Sequence, residues 1–358
     1  MNRRSLFEYR VRVGHTDCPR PAFAFRREVV RWAPLAGCAT AMLFLSGSMP
    51  GLAADAPAAP ATTTTAAALA APAPAKAAKG APLPLHTIEG VGGVVITPIA
   101  YPVNPGAPGT LWGQPSVSAT YVNARQKNIE TLAVTETVGG RVELGYAASR
   151  FGLGTLGSTV AAKTGLEIGR SDVYLHNFNA RGLVIKEGSY GPFTPAVTVG
   201  IQAKYNDGIS EISNNLKSGG VMRSIGFHNN FGIDYVLTAT KLIPKVANRP
   251  LIVTGGFRLS EADQIGYAGF GDAYVGTFEG NLVYLVTNNV AAAAEYRQKR
   301  EAYVGLPGIW NKEDNWWTLG VGYVANSHLT GTVGYGNFGH VLDTVENAGW
   351  ALSAKYEF

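Results

Sequence analysis

The stretch Trp350-Ala-Leu-Ser-Ala-Lys-Tyr-Glu-Phe358 at the carboxyl end of the chain decides the fold class. Successive side chains of a β-strand point to opposite faces, so every second residue of this stretch shares a face. One face is apolar and carries Trp350, Leu352, Ala354, Tyr356 and Phe358. The other face is mostly polar and carries Ala351, Ser353, Lys355 and Glu357. A strand with this pattern separates an apolar environment from a polar one.

The composition of the whole chain favours such strands over membrane-spanning helices. Hydrophobic residues make up 46% of the 358 residues, charged residues make up only 15%, and there are 44 glycines. After residue 55, however, no stretch approaches the roughly 20 consecutive apolar residues that a transmembrane helix needs. An apolar chain without such stretches indicates β-structure.

The basic excess of the chain belongs to its amino-terminal part. A formal net charge of +5 would by itself indicate an anionic partner such as nucleic acid. Residues 1–54 contain eight arginines against three acidic residues, which leaves 22 basic and 22 acidic residues in the remainder. The remainder is neutral, so we predict no nucleic-acid partner.

Residues 1–54 have the three parts of a secretory signal peptide. Three arginines between residues 26 and 31 supply the positive region, residues 33–47 supply the apolar region, and residues 51–56 form a cleavage zone of small residues. Because a further 25 residues precede these parts, we predict a signal peptide with an amino-terminal extension.

Residues 55–85 are rich in Ala, Pro and Thr, and such a segment buries too little apolar surface to repay its ordering. We predict a disordered linker that lies in the periplasm after export. The two cysteines, Cys18 and Cys38, both lie in the leader. The exported chain therefore contains no thiol for a disulfide or a thiolate metal site.

From residue 86 to residue 358 the two-residue period recurs, and it predicts twelve strands. Their outward faces are Val, Leu, Ala and aromatic residues, whereas a soluble β-sandwich would present a polar outer face. The prediction is an all-β, transmembrane, antiparallel up-and-down β-barrel of about 12 strands. The predicted strands cover residues 88–99, 116–123, 138–146, 173–185, 197–205, 233–240, 251–260, 274–286, 290–301, 317–323, 329–335 and 350–358.

The connections between these strands support the same fold, because outer-membrane barrels alternate short periplasmic turns with longer external loops. A sheet in hydrocarbon must also close on itself, so we expect the strand 350–358 to pair with the strand 88–99. The connection at residues 127–137 is the exception, since it is too long for a plain turn. Predicted external loops are residues 101–115, 151–172, 206–231, 262–273, 304–315 and 339–349. Predicted periplasmic turns are residues 188–195, 244–250, 287–289 and 326–327.

An aromatic residue at the very end of such a strand resembles the insertion signal of bacterial outer-membrane β-barrel proteins. The resemblance implies the cell outer membrane of a Gram-negative bacterium, with the amino-terminal tail in the periplasm. It also implies three partners, which are outer-membrane lipid, lipopolysaccharide and the barrel assembly machinery. The residues assigned to this assembly signal are Trp350, Leu352, Tyr356 and Phe358.

The inward faces of the predicted strands carry charges of both signs. Mixed charges can pair with one another and fill a narrow lumen, or they can line a solute path through Arg258, Arg297 and Lys299. We predict a narrow channel for passive diffusion of a small hydrophilic solute. The alternative is a non-conducting structural or surface-interaction barrel that binds partners through external loops, above all residues 206–231. The predicted lumen-lining residues are Arg141, Glu143, Arg181, Lys204, Asp234, Arg258, Glu279, Glu295, Arg297 and Lys299.

Motifs for catalysis, metals and cofactors are weak in this chain. Ser327 and His328 are adjacent, but neighbours in a strand point apart and cannot act as nucleophile and base. The run from Gly152 to Gly157 is similar to a dinucleotide fingerprint, yet no helix with an acidic partner is predicted after it. Three other histidines are scattered without metal-ligand spacing. We predict no enzymatic activity, no metal and no cofactor.

Two stretches, residues 136–154 and residues 293–299, resemble a family of proteobacterial outer-membrane proteins that carry a domain of unknown function. The resemblance covers about residues 86–358 and omits the leader and the linker. It implies a barrel and brings no catalytic residues with it.

Overall fold

The computed structural model describes residues 85–299 and 301–358. The predicted signal peptide and nearly all of the predicted linker therefore lie outside the described residues. None of the helices in the described part is long and apolar enough to cross a membrane. The helices are α1 (Leu156–Thr164), α2 (Ile209–Asn215) and α3 (Gly220–Ile225), with a 3₁₀ turn at Gln264–Gly266.

Twelve antiparallel strands form one closed barrel, as the sequence predicts. Two small ribbons contribute no strand to the wall, one from β1 (Leu85–His86) and β2 (Gly92–Gly93) and one from β14 (Gly339–Val341) and β15 (Thr344–Glu346). The wall strands are β3 (Ser116–Ala124), β4 (Lys127–Val138), β5 (Val142–Gly152), β6 (Asp172–Ile185), β7 (Ala196–Asp207), β8 (Phe231–Val246), β9 (Arg249–Ala262), β10 (Phe270–Leu285), β11 (Val290–Arg297), β12 (Trp316–Val324), β13 (Leu329–Asn337) and β16 (Gly349–Glu357).

The carboxyl-terminal strand β16 has the two faces that its sequence predicts. Leu352 is 57% exposed on the outside of the barrel, while Lys355 is 1% exposed on the inside. Other strands also place apolar side chains outside, including Leu132, Phe178 and Val333. Because hydrocarbon offers no hydrogen-bond partner to backbone groups, a closed sheet with an apolar exterior is a transmembrane barrel of the outer-membrane type.

The barrel closes through a different strand from the one predicted. β16 pairs with β3, with Glu357 opposite Ser116 and Trp350 opposite Asn123. The predicted pairing of residues 350–358 with residues 88–99 is wrong. Residues 88–99 are not part of the wall, because all of them are buried inside the barrel and no side of this segment faces lipid.

β4 takes the place of the predicted strand 88–99 in the wall, so the number of wall strands is still twelve. The prediction that residues 127–137 form a connection is wrong, since β4 spans Lys127–Val138 and pairs with both β3 and β5. Its outward face includes Glu130 and Glu136, and its inward face is largely Thr and Ala. The contrast in polarity between the two faces is therefore weak, which explains why alternation failed to reveal this strand.

The two ends of the barrel differ in their connections. We call the end that carries Phe358 the carboxyl end; its turns are residues 139–141, 186–195, 247–248, 286–289 and 325–328. The opposite loop end carries residues 125–126, 153–171, 208–230, 263–269, 298–299, 301–315 and 338–348. Residues 101–115, predicted as an external loop, reach the carboxyl end instead, where the Phe358 backbone N–H donates to the Pro115 carbonyl at 3.1 Å.

The end of β16 leads to a prediction about assembly. The Phe358 ring is 54% exposed and packs edge-on against Tyr356, with 5.1 Å between ring centroids. A carboxylate on this lipid-facing surface costs up to about 1 kcal/mol near the interface and more if it lies deeper. We expect Phe358→Asp to lower the amount of folded barrel in the outer membrane several-fold, as measured by electrophoresis with and without boiling. Phe358→Leu is the control, and normal membrane levels of Phe358→Asp contradict the prediction.

Candidate functional site

The lumen is occupied by the segment that precedes the first wall strand. We call residues 85–103 the plug, and every residue from 86 to 100 is buried. β1 and β2 pair within it, and Gly93 forms a further bridge to Pro98, so three backbone segments lie side by side. The run Val94-Val95-Ile96 has no alternation, which suits a segment that is surrounded by protein on all sides.

The glycines of the plug permit close packing against the wall. Gly90 has a φ of +76°, and a Cβ at this position would lie 2.6 Å from the Cβ of Ala147. A Cβ at Gly92 would lie 2.5 Å from Nη2 of Arg181. Only glycine fits such positions without displacing the neighbour. The glycines between residues 90 and 93 were predicted to belong to a strand of the wall. In the structure they form a tight turn within the lumen.

Three cations of the wall converge on one carboxylate of the plug. Lys204 Nζ lies 2.6 Å from Glu89 Oε1, and Arg297 Nη1 lies 2.6 Å from Glu89 Oε2. A second nitrogen of Arg297 lies 3.3 Å from Oε1. Arg258 donates through both terminal nitrogens, at 3.4 Å to Oε1 and 3.2 Å to Oε2. We call this group of residues the Glu89 site.

The cations of the Glu89 site are also held by partners on the wall. Lys204 and Arg258 both donate to Asp234 Oδ2, at 2.7 Å and 2.8 Å. Arg258 further donates to Gln202 at 2.6 Å and to Glu279 at 3.2 Å. Burial raises the pKa of Glu89, but the three cations outweigh burial and hold that pKa well below its usual value. Glu89 is therefore an anion in the lumen.

Two carboxylates of the wall bind the backbone of the plug. Glu143 accepts from the N–H groups of Gly92 at 3.0 Å and Val103 at 2.8 Å, and it also pairs with Arg181 at 2.6 Å. Glu295 accepts from three successive N–H groups, those of residues 95, 96 and 97, at 2.8–3.2 Å. Charge-assisted bonds of this kind are stronger than neutral ones. They leave the central plug backbone satisfied although it pairs with no wall strand.

Neutral side chains complete the attachment of the plug. Asn177 and Asn179 each donate to the Glu89 carbonyl at 2.8 Å. Asn281 donates to Thr97 Oγ1 at 2.9 Å. His86 bridges β3 and β4 through Ser118 and Thr135, at 2.8 Å each.

The structure brings most of the predicted lumen-lining residues together inside the barrel. Arg141 differs, because it lies exposed in the turn 139–141 at the carboxyl end. Arg258, Arg297 and Lys299, the predicted solute path, line one polar cavity of about 30 Å³. The buried side chains are Glu143, Arg181, Lys204, Asp234, Arg258, Glu279, Glu295 and Arg297. Glu89 was not predicted, although a lone acidic residue in an apolar Gly-rich stretch is a usable signal.

Loops and helices cover the loop end of the barrel. We call this layer the lid; it consists of α1, α2, α3 and residues 263–269, 301–315 and 338–343. Its apolar side chains belong to one hydrophobic core with Ile88, Val94 and Ile96 of the plug. Trp310 and Glu313 are buried, as is Trp316 at the start of β12, so part of the predicted external loop 304–315 packs inward. The lumen is thus filled at its loop end by the lid and farther along by the plug.

Two buried carboxyl groups lie next to each other in the lid. Asp263 accepts from Trp310 Nε1 at 2.9 Å, and Glu313 pairs with Lys299 at 2.7 Å. Burial raises the pKa of Asp263 well above its usual value, and the neighbouring Glu313 charge adds to the effect. A second buried pair, Lys127 with Asp343 at 2.6 Å, ties the lid to β4. Neither pair was predicted from the sequence.

The weak motifs have structural roles in this fold. His328 Nδ1 bonds to the Glu357 carbonyl at 2.7 Å, and its ring stacks on Tyr356, so the residue after Ser327 helps to hold β16. A helix does follow the run 152–157, namely α1, but its first turn has no acidic residue. Within residues 85–299 and 301–358, no three His, Cys, Asp or Glu side chains group as a metal site. The predicted absence of enzymatic activity stays a prediction.

Comparison with known proteins identifies a family and a group of similar barrels. The sequence model of a family described as protein of unknown function, DUF3034, matches residues 84–355. No curated protein sequence matches the chain. Among solved structures, the KdgM porin is similar with a TM-score of 0.41 and 10% identity, over 68% of this chain and 99% of that chain.

Two further solved structures show the same degree of similarity. The outer-membrane protein Omp33 of Acinetobacter baumannii has a TM-score of 0.36 and 8% identity, over 69% of this chain and 99% of that chain. The outer-membrane channel from Pseudomonas putida F1 has a TM-score of 0.38 and 11% identity, over 70% and 99%. These values are too low to transfer a function from any of the three proteins.

Proposed function

We propose that this chain, which belongs to the DUF3034 family of proteins of unknown function, is an outer-membrane channel for a small hydrophilic solute that is closed in the state described here. One observation carries the proposal. A polar, charged lumen is occupied by a separate segment of the same chain, the plug, which contributes no strand to the wall. The wall would remain closed if this segment moved out.

The chemistry of the lumen supports a passage more than a permanent core. Replacing a buried ion pair by well-packed apolar residues is often neutral or stabilising by about 1–4 kcal/mol. A core that is never opened therefore has no need of the six charges at Glu89, Lys204, Asp234, Arg258, Glu279 and Arg297. Charged walls are suited to a lumen that holds water and solute when the plug is displaced.

The width of the plug indicates how wide the lumen would be if the plug moved out. Three backbone segments, near residues 85, 93 and 98, lie side by side in the lumen. Neighbouring strands are about 4.8 Å apart, so the occupied width is roughly 10 Å. A vacated lumen of this width suits a small solute, in keeping with a wall size between filled eight-stranded barrels and open porins of about 16 strands. The lid is a second barrier, and a conducting state also requires a gap beside it.

A reversible disulfide between the plug and the wall tests this proposal. Thr97 of the plug and Asn281 of β10 are in contact at 2.9 Å, and the two cysteines of the chain, Cys18 and Cys38, both lie in the predicted signal peptide. We expect the double variant Thr97→Cys/Asn281→Cys to show no channel openings in planar bilayers when oxidised. After reduction, openings return at the frequency of the wild-type protein, because only the released plug can leave the lumen.

The single variant Thr97→Cys is the matched control and should conduct in the same way under both redox conditions. Reproducible openings of the oxidised double variant, with the disulfide verified by mass spectrometry, contradict the proposal that the plug closes the passage.

A second candidate function is a non-conducting structural or surface-interaction barrel. The continuous hydrophobic core that joins plug and lid favours it, since apolar contacts of this extent hold both layers in place. The same bilayer experiment separates the two functions. If neither the wild-type protein nor the reduced double variant ever conducts, the non-conducting barrel is the better description.

We also propose the orientation and partners of the barrel. The carboxyl end faces the periplasm, which places the segment before residue 85 on that side, and the loop end faces outward. The apolar exterior contacts outer-membrane lipid and lipopolysaccharide, and β16 is the strand that the barrel assembly machinery recognises. Protease treatment of intact cells should cleave a tag inserted in residues 208–230 but not one inserted in residues 186–195.

A further inference from the structure

We infer that the Glu89 site is a binding site for a carboxylate group of the transported solute, and that Glu89 occupies it as a built-in substitute for that group. The inference rests on the proposed channel function and names the class of its solute. The site would recognise small organic anions that carry a carboxylate. The plug would then be an autoinhibitory segment that such a solute displaces.

The geometry around Glu89 is complete for a carboxylate ligand. Both carboxylate oxygens receive at least two hydrogen bonds, and all five donors belong to Lys204, Arg258 or Arg297. Arg297 approaches with two nitrogens, one for each oxygen. Guanidinium groups that contact both oxygens match an oxyanion with two adjacent oxygens, such as a carboxylate, rather than a spherical anion such as chloride. Five neighbouring wall strands, β7 to β11, contribute side chains to this cluster.

Each of the three cations also has a carboxylate partner on the wall besides Glu89. Asp234 and Gln202 hold Lys204 and Arg258 from the wall, and Glu279 lies within ion-pair distance of both arginines. When Glu89 leaves, three cations face two wall carboxylates, so the vacated site keeps a surplus of one positive charge. A site whose side chains stay positioned binds its ligand at a lower entropic cost.

Glu89 differs from the other carboxylates that hold the plug. It is the only Asp, Glu, Lys or Arg of residues 85–103, and this one charge lies on the three cations Lys204, Arg258 and Arg297. Glu143 and Glu295 belong to the wall and bind plug backbone, so a solute carboxylate could not take their place. Only the Glu89 contact is one that an anionic solute can substitute.

A small cavity lies beside the site. Arg258 and Arg297 each contribute to the lining of the polar cavity of about 30 Å³, which Lys299, Ser260 and Thr277 also line. This space is enough for about two water molecules. Under this inference, a solute carboxylate placed in this space would lie beside Arg258 and Arg297 while Glu89 is still bound, and it would compete with Glu89 for them.

Chemical rescue in the full chain tests the site. Glu89→Ala removes the built-in carboxylate, and we expect the unfolding temperature of the refolded barrel to fall by roughly 10 °C. Sodium acetate should restore about 3 °C of this loss, whereas acetamide and sodium chloride at the same concentration should not. Glu89→Gln fills the same volume without charge and is the matched control, for which acetate should have no effect. Equal responses to acetate and chloride overturn the carboxylate assignment.

The wild-type protein supplies a test that does not depend on folding of a variant. We expect acetate, but not acetamide, to raise the frequency of channel openings in planar bilayers at constant ionic strength at least threefold. If the barrel conducts and acetate changes nothing, the carboxylate site is refuted while the channel function stands. If the barrel never conducts but acetate rescues Glu89→Ala, the channel function is refuted and the binding site alone remains.

Discussion

Replacing Glu143 by Leu is expected to lower the free energy of unfolding by about 3–5 kcal/mol. The change leaves Arg181 as a buried cation without its ion-pair partner. It also removes the acceptor from two plug backbone N–H groups, those of Gly92 and Val103. Unfolding of the refolded protein in denaturant, followed by tryptophan fluorescence, measures the loss. The plug is expected to loosen in parallel, so that a cysteine placed at Thr97 becomes accessible to a water-soluble thiol reagent.

Glu130→Ala is the matched control for this prediction. Glu130 lies on the adjacent strand β4 and pairs with Arg150 at 3.2 Å, but the Glu130 side chain is exposed and that of Arg150 is only partly buried. Exposed pairs contribute about 0–1 kcal/mol, so this variant should unfold almost as the wild-type protein does. If Glu143→Leu and Glu130→Ala lower the free energy of unfolding by the same amount, the hydrogen bonds between Glu143 and the plug are not a main source of stability.

The lid is expected to become less stable as the pH rises, and Asp263→Asn should remove this loss. The pKa of Asp263 is raised in the folded protein by burial and by Glu313, so the folded state keeps a proton that the unfolded chain releases above pH of about 4. The free energy of unfolding therefore decreases between that pH and the raised pKa, by up to about 1.4 kcal/mol per pH unit. The amide that replaces the carboxyl group in this variant has no such proton to lose, and its oxygen can still accept from Trp310.

Unfolding temperatures measured between pH 5 and pH 8 test this prediction. The unfolding temperatures of the wild-type protein and Asp263→Asn should differ least at pH 5. At pH 8 the variant should have the higher unfolding temperature. Asp272→Asn removes an exposed carboxyl group at the same end of the barrel and should follow the wild-type profile. Parallel profiles for the wild-type protein and Asp263→Asn would show that the lid does not hold a proton at Asp263.

The predicted lumen residues show which structural features strand register can predict. Since side chains alternate strictly, the sequence of β6, β7, β8 and β9 places Arg181, Lys204, Asp234 and Arg258 on the inner face, and the structure has them there. Register alone could not show which charges pair. Arg141 departs from the prediction because it lies in a turn, where alternation no longer applies.

The first predicted strand failed for a physical reason. Residues 88–99 are apolar and rich in glycine, which suits a membrane strand as well as a segment buried in protein. The features that distinguish the two are the run Val94-Val95-Ile96, Pro98, and a carboxylate at Glu89 whose partners lie far away in sequence. A strand that faces lipid and lumen must alternate, whereas a plug buried on all sides need not.

The sequence by itself determined that this chain is a closed β-barrel with an apolar exterior, because alternation is a local property and hydrocarbon tolerates only closed sheets. Only the tertiary structure decided that the lumen is occupied. Glu89 meets Lys204, Arg258 and Arg297 across 115, 169 and 208 residues of chain. Contacts at such separations arise when the wall closes around the plug, and no periodicity within one strand can reveal them.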